Sequence, residues 1–535
     1  MNLFSTRFAP TISTLAIFVF SAASAVASNV EVIREIKHDT SPALRTMAET
    51  PAPAPQRYVR PMLTVPGHSD TTEGAEDSAL QEIAGPTVGT TPGLNLLGIG
   101  TGFVGPSGSY TDQYAPPDTN GTVGATQYVQ MVNISYAVFD KVTGNPTLGP
   151  LTFNTIFNGF GGACTSSTNV SDPTVLYDKL AGRWFIEYFT VSAPYTFCLA
   201  VSATSDATGS YHRYAFVTTA GLPDYTKTGT WPDAYYLSSR IFKNGSTYIG
   251  PMACAADRSQ MLTGAAATLQ CIQIKSTTLD GMLPSDLDGT TAPPTGSPNY
   301  YAIQGATGSN TLDIYKFHVD FTTPANTTFT GPTAIPVAKY TQATSSSAVP
   351  QPGTTQKLDA LGNFLMFRLA YRNLATAATP YESLLLTHSI NVGTSTKKRI
   401  GVRWYEIRNP AIATTVYQQG TFSPSALYRW MGSIAQDKLG DIALGYSGSS
   451  TTVHPEVLYT GRVPTDPLGK MEAEAVIFAG AGSQSSGLSR WGDYSGMSVD
   501  PVDDCTFYYT TEYIPTTGTF NWSTRIFSFK FPSCN

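Results

Sequence analysis

Seven stretches of this chain open in the same way: "PPDTNGTVGATQYVQMVN", "SDPTVLYDKLAGRWFIEYF", "GTWPDAYYLSSRIF", "GSPNYYAIQGA", "QKLDALGNFLMFRLAYR", "SIAQDKLGDIALGYSGS" and "DYSGMSVDPVDDCTFYYTTEY". Each sets a Pro, Asp or Asn turn, often with a Gly, ahead of an alternating run of large residues. That is the pattern of a turn feeding a half-buried strand. With Gly124, Gly182, Tyr235, Tyr300, Gly362, Gly440 and Asp504 as equivalent points, the units recur after 58, 53, 65, 62, 78 and 64 residues. Aromatic and β-branched segments such as "GRWFIEYFTVSAPYTFCLAVSATSDATGSYHRYAF" fill the intervals, and no sustained amphipathic helix interrupts them.

One such unit has an apolar face on each side and cannot bury both alone, so the units must stack, and closing the stack into a ring removes the last exposed faces. The chain is therefore expected to be all-β, a seven-bladed β-propeller over residues 94–535, with loops accounting for a period longer than the ~40–50 residues of a simple blade. Six blades, or tandem β-sandwiches, are the alternatives, although two sandwiches would repeat the motif twice rather than seven times. Composition agrees. Charged residues make up 13% against a usual share of about 25%, while 47 Gly, 37 Pro, 29 Tyr and 26 Phe suit strands and turns.

The N-terminus carries Arg7, an apolar run from Ile12 to Phe20 and small residues ending at Ala27, which reads as a secretory signal over residues 1–27. The run is too short for a membrane span. Residues 28–93, rich in Pro, Gly and Thr, read as a linker or pro-segment, with a short helical piece around Val30–Lys37. Six cysteines in an exported chain imply an oxidising compartment, extracellular or periplasmic. Pairing in sequence order, Cys164 with Cys198, Cys254 with Cys271 and Cys505 with Cys534, is the simplest of the fifteen connectivities, since each bond would link adjacent strands within one sheet. The last bond would staple the final strands where the ring closes. A net charge of −6, with no Lys or Arg run, excludes nucleic-acid and anionic-membrane partners. A monomer is expected.

If the turn before each innermost strand lies at one mouth of a central channel, then Asp118, Asp172, Asp233, Asp359, Asp437 and Asp493 converge there, near Trp231 and Trp491. Carboxylates accept hydroxyl hydrogen bonds or protonate a glycosidic oxygen, and flat rings stack on sugar faces. Asp before a strand also caps turns through its own backbone, which predicts the same repetition without any ligand. "TWPDAYY" and "RWGDYSG" depart most from a plain turn, which singles out Trp231, Asp233, Tyr235, Arg490, Trp491 and Asp493. Glu187 and Glu512 stand alone on apolar strands, where an outward, solvated position is the simpler reading. Isolated histidines form no metal pair. No cofactor is required, although the oxygens of "SVDPVDD" and "PSDLDG" suit a hard cation such as calcium.

The blade layout and "AVSATSDATGSYHRY" (200–214) resemble the sialidase-like and related secreted propellers, whose turns carry Asp-boxes of the form S-x-D-x-G-x-x-W. Here Asp206 and Gly209 stand one residue further apart than that pattern, and Tyr211 takes the aromatic place. The chain also looks like a group of exported bacterial propellers with "WPDAYY" and "RWGDYSG" signatures. The resemblance implies the propeller fold. Sialidase activity is not carried over, because that family's arginine triad has no counterpart here. The expected function is binding of an extracellular glycan or cell-surface partner at the channel mouth lined by Asp118, Asp172, Asp233 and Asp493. If it is an enzyme, it is a glycoside hydrolase or polysaccharide lyase. The alternative is a non-enzymatic adhesion or protein-interaction module.

Overall fold

The structure, a computed structural model, describes residue 1 and residues 30–47, 57–65, 76–111, 114–306, 309–343, 346–375, 377, 379–394 and 399–534. Apart from Met1, the expected signal segment lies outside the described residues. The fold is nearly all β, and among the described residues its one α-helix is the short Arg258–Met261.

Antiparallel groups of consecutive strands follow one another along the chain. Their first strands are Asn120–Val123, Val170–Asp178, Leu222–Thr230, Leu283–Asp288, Leu369–Leu374, Tyr428–Gln436 and Gly496–Val499. Each first strand lies against the next group, and Gly496–Val499 returns to Asn120–Val123, which closes a ring. This is a β-propeller, whereas tandem sandwiches would face sheet on sheet without a shared axis. The fourth and fifth groups are fused into one ten-stranded sheet by parallel pairing of Leu283–Asp288 with Leu369–Leu374.

Polar side chains knit the innermost strands together. Asn120 donates to the Pro173 carbonyl (2.6 Å) and accepts from Val175 N–H (3.0 Å), Asp286 accepts from Thr230 N–H (2.9 Å), and Ser433 Oγ accepts from Met497 N–H (3.0 Å). Further out, aromatic rings fill the wedge between sheets. Phe185 stacks on Tyr235 with centroids 4.4 Å apart, and Tyr236 meets Phe317 edge-on at 5.4 Å. Each ring so buried contributes about 1.5–3 kcal/mol.

The ring is closed by strand pairing, and the expected Cys505–Cys534 bond joins the flanks of the last two paired strands, Phe507–Tyr513 and Ser523–Lys530. Thr91–Leu97 adds to Ser523–Lys530 as the outermost strand of the last sheet, so segments from both ends of the chain share one sheet. The disulfides pair in sequence order. Only Cys254 and Cys271 are register partners on adjacent strands. Cys198 reaches instead to the short turn Ala163–Thr165, and Cys505–Cys534 ties the chain end to the turn before Phe507–Tyr513.

The segment before the ring is used as edging. Glu31–Arg34 pairs with Thr268–Gln273, Lys37–Thr40 with Tyr211–Val217, and Leu80–Gln81 with Gln418–Phe422. The helical piece expected at Val30–Lys37 is therefore strand. Its β-branched residues find two open sheet edges, whose unmet hydrogen bonds outweigh weak local helix preference.

One end of the channel is filled. Ion pairs cross it: Lys179 with Asp288 (3.2 Å), Arg372 with the partly exposed Asp504 (2.7 Å), and buried Arg368 with Asp286 (3.0 Å) and with Asp288. Arg368 also donates to the Met497 carbonyl (2.9 Å), joining the fifth group to the fourth and the last. No helix among the described residues is long and apolar enough to cross a membrane.

Candidate functional site

At the opposite end the backbone repeats a strained device. Asp118, Asp172, Tyr225, Leu361, Met431 and Asp493, each at the entry to a sheet, all adopt left-handed φ values between 46° and 59°. In three of these entries the ladder skips two residues, between Ser171 and Thr174, Asp224 and Lys227, and Trp430 and Ser433, which is a bulge at the same place in the second, third and sixth groups. A bulge re-aims side chains, and left-handed non-glycine residues persist only where surrounding structure holds them. Asp118, Asp172 and Asp493 are thereby turned toward the axis.

They meet at a cavity of about 220 Å³ whose lining includes Asp118, Asp172, Asp224, Tyr225, Arg240, Phe364, Arg490 and Asp493. Asp118 is only 1% exposed: its Oδ2 accepts from Asn133 (2.6 Å), and its Oδ1 has no hydrogen-bond partner. Burial, followed by the charges of Asp172 and Asp493, pushes its carboxyl well above the usual range, against the pull of Arg490 and Lys227. Asp172 accepts from Ser171 Oγ (2.6 Å) on one oxygen and from Tyr494 Oη (2.5 Å) on the other. Burial also raises Asp493 against its ion pair with Arg490, and lifts Asp224 to about 6 against its pair with Arg240.

Lys227 supplies the counter-charge behind this wall. It is fully buried, with Nζ 3.4 Å from the centre of the Tyr225 ring and 3.6 Å from that of Tyr494. Burial brings its pKa down to about 8, although Asp172, Asp118, Asp493 and Glu187 all pull it upward.

An extended stretch, residues 57–65, lies across the mouth, and Tyr58, Arg60, Pro61, Met62 and Leu63 line the cavity from that side. Tyr58–Val59 pairs in parallel with Tyr114–Ala115. Arg490 donates to the Arg60 carbonyl (2.6 Å), Arg240 to the Leu63 carbonyl (2.8 Å), and Arg60 to the Val170 carbonyl (2.6 Å).

Of the residues singled out in the sequence, Asp118, Asp172, Arg490 and Asp493 come together here. Asp359 stands behind Arg490 at 3.6 Å. Trp491 is fully buried beside Trp430 and donates to Ser447 Oγ (3.2 Å), outside the cavity lining. The expected single convergence of six aspartates does not occur. Asp233 and Asp437 follow the innermost strands Leu222–Thr230 and Tyr428–Gln436, in the turns to the next strand, and from Tyr225 to Asp233 the chain runs roughly 25 Å. There Asp233 accepts from Tyr236 Oη (3.1 Å), Tyr235 donates to Asp178 (2.9 Å), and Trp231 packs on Tyr371 at 4.6 Å. The "PD" of "TWPDAYY" belongs to the exit turn, not to the entry turn that holds the cavity.

Glu187 and Glu512 are fully buried rather than solvated: Glu187 accepts from Thr174 Oγ1 (3.2 Å), and Glu512 from Gly492 N–H (2.7 Å). The oxygens proposed for calcium are already engaged. Asp500 pairs with Lys141 and Asp504 with Arg372, while Asp286 and Asp288 hold Arg368. No group of three or more His, Cys, Asp or Glu among the described residues is placed to hold a metal ion. Asp206 of the Asp-box-like stretch braces its own outer turn through Thr208 N–H (2.9 Å) and Arg45 (2.7 Å).

Asp224, Tyr225, Lys227, Arg240 and Tyr494 were missed. The available signal was the run "LPDYTKTG", which matches "PPDTNG" and "SDPTV" in placing a Thr just after the Asp. Aligning the third unit there, rather than on "WPDAYY", brings Asp224, Tyr225 and Arg240 to the cavity.

No protein-family model and no curated protein matches this chain. Solved structures similar to it include the WD40 domain of SCAP from fission yeast, at 10% identity and TM-score 0.31 over 76% of this chain and 82% of that one. An exo-β-1,3-galactanase from Phanerochaete chrysosporium with galactose aligns at 10% identity and TM-score 0.30, over 83% and 97%. The N-terminal domain of Nup159 aligns at 8% identity and TM-score 0.32, over 89% and 100%. None of these likenesses assigns a role to a residue of this chain.

Proposed function

We propose that this is an exported protein that binds a single carbohydrate unit, such as a chain end, in the cavity walled by Asp118, Asp172 and Asp493. The observation carrying this reading is Asp118, a buried carboxyl with one unpartnered oxygen on a cavity wall that also holds three further aspartates. Burial and neighbouring carboxylates push its carboxyl well above the usual range, and in its protonated form it can donate to a sugar oxygen. Asp172, with a donor on each oxygen, is fixed to accept from a hydroxyl. Tyr225 and Phe364 also line the cavity, stacked on each other at 4.7 Å with Lys227 over the Tyr225 ring and Arg240 over the Phe364 ring. A volume of about 220 Å³ falls below the ~300–1,000 Å³ of drug-sized sites, which favours one ring over a longer segment.

Two aspartates on one cavity wall, one of them with its carboxyl pushed well above the usual range, are also the equipment of glycoside cleavage, with Asp118 as the acid and Asp172 as base or nucleophile. Three disulfides fit an oxidising compartment, in keeping with export. A glycan array combined with a reducing-sugar assay tests the reading. Binding without turnover supports a lectin-like role, and neither binding nor turnover refutes it. A second reading, a protein-interaction module, draws on one observation: an extended polypeptide already lies at the mouth.

A further inference from the structure

Residues 57–65 do more than pass over the site. Arg490 and Arg240 each have one flank held by aspartates, Asp493 and Asp359 for Arg490, and Asp224 and Asp280 for Arg240. The remaining N–H of each reaches a strap carbonyl, Arg60 O or Leu63 O. The strap is fixed at both ends of this span. Arg60 lies against the rings of Tyr58 and Tyr114 and donates to Val170, and Val65 is buried at 6% exposure among Phe185, Phe189 and Leu222. Along the strap Arg57, Tyr58, Val59, Pro61 and Thr64 are exposed, so it crosses the surface as a single extended layer.

We propose that residues 57–65 are a built-in, releasable occupant of the cavity mouth, whose carbonyls hold the places at Arg490 and Arg240 that a ligand's acceptor oxygens take when the strap leaves. The site's ligand class then follows from its occupant: a molecule with two acceptor oxygens spaced to meet both guanidinium groups, as hydroxyl-rich sugars and extended peptides have. Displacement breaks a two-residue ladder and a few hydrogen bonds, each of which is exchanged for one to water or to the incoming ligand. The choice of sugar as that ligand rests on the carbohydrate reading above, but the strap's release does not.

The test is made on the full chain with specific protease sites inserted within 48–56 and within 66–75, cut after folding. The probe is a fluorescent peptide of residues 57–65, "RYVRPMLTV". Exchange of the labelled peptide into the cut protein within hours, with no uptake by the uncut protein, is the expected result. Glycan binding at least ten-fold tighter in the strap-free form is expected alongside it. A strap that stays bound for a day without exchange is a fixed part of the fold, and overturns the proposal. So does glycan binding that is equal in the two forms. Peptide exchange with no glycan bound in either form supports the strap proposal while removing carbohydrate as the ligand. As a check independent of cutting, R60A/L63D in the uncut chain should take up the peptide with its thermal melt retained.

Discussion

Arg490 donates through one Nη to both carboxylate oxygens of Asp493, 2.5 Å to each, so one guanidinium fixes a left-handed residue at the cavity wall. Both side chains are mostly buried, and their burial is tolerable because each neutralises the other. Replacing Arg490 by Met leaves Asp493 and Asp359 without that cation. Urea unfolding should show a loss of about 3–5 kcal/mol. R490K, with no planar fork, should recover only part of it.

Lys227 stands behind the aspartates and lowers the pKa of Asp118, Asp224 and Asp493. K227M keeps the length of the chain between the two tyrosine rings and removes the charge. Those carboxyls then hold their protons to higher pH, and because protonated Asp118 is the donor, the alkaline limb of the ligand-binding pH profile should move up by about one to three units. An unmoved limb would show that Lys227 does not act on the site.

Trp491 is expected to matter for stability and not for recognition. It is fully buried against Trp430 and outside the cavity lining. W491A should cost about 3–5 kcal/mol in unfolding free energy, and W491F much less, with glycan affinity unchanged in the folded variant.

How much of this was legible follows from what each residue contacts. The repeat was visible because turn residues and alternating strands are local signals, and the ring follows from the need to bury both faces of every sheet. Cys254 and Cys271 were legible for the same reason, since strand neighbours lie close along the chain. The cavity was half legible. "PPDTNG", "SDPTV" and "RWGDYSG" pointed to Asp118, Asp172 and Asp493, but Asp233 was placed with them because an aspartate at the exit of an innermost strand looks like one at its entry. Lys227 gave no signal of its own, since its role depends on carboxylates from other sheets, and Arg240 takes its place only once strand register sets it opposite Asp224 and the fold brings Asp280 beside it. The strap was hidden for a different reason. A Pro-rich stretch carries no periodicity, and its order comes from the surface it lies on.

At the filled end of the channel, burial and the neighbouring Asp441 push Asp437 up to about 8. Its unfolded value is about 3.9. Between these limits the folded chain holds a proton that the unfolded chain releases, so stability falls as pH rises from about 4 to about 8 and then levels. D437N keeps an oxygen for the turn N–H groups of Leu439 and Asp441 and abolishes the titration. The variant should gain on the wild type by up to about 1.4 kcal/mol per pH unit across that window, read from denaturant melts at pH 5, 7 and 9.

Removing the Cys254–Cys271 bond as C254A/C271A frees a closed loop spanning 17 residues of separation. Chain entropy alone puts the loss at about 3 kcal/mol, measurable as a lower midpoint in urea. Because the two strands remain paired on both sides of the bond, the strap and the cavity should stay intact.

The central claim is that a sugar is held by the aspartates at the entry end of the channel and not by those at the exit end. Glycan-array binding of the wild type, D118N and D233N, each measured uncut and with the strap released, tests it most directly. The account predicts that the strap-released wild type and D233N bind the same glycans with like affinity, and that D118N loses at least ten-fold. Binding by D118N equal to the wild type, or no glycan bound by any form, would contradict it.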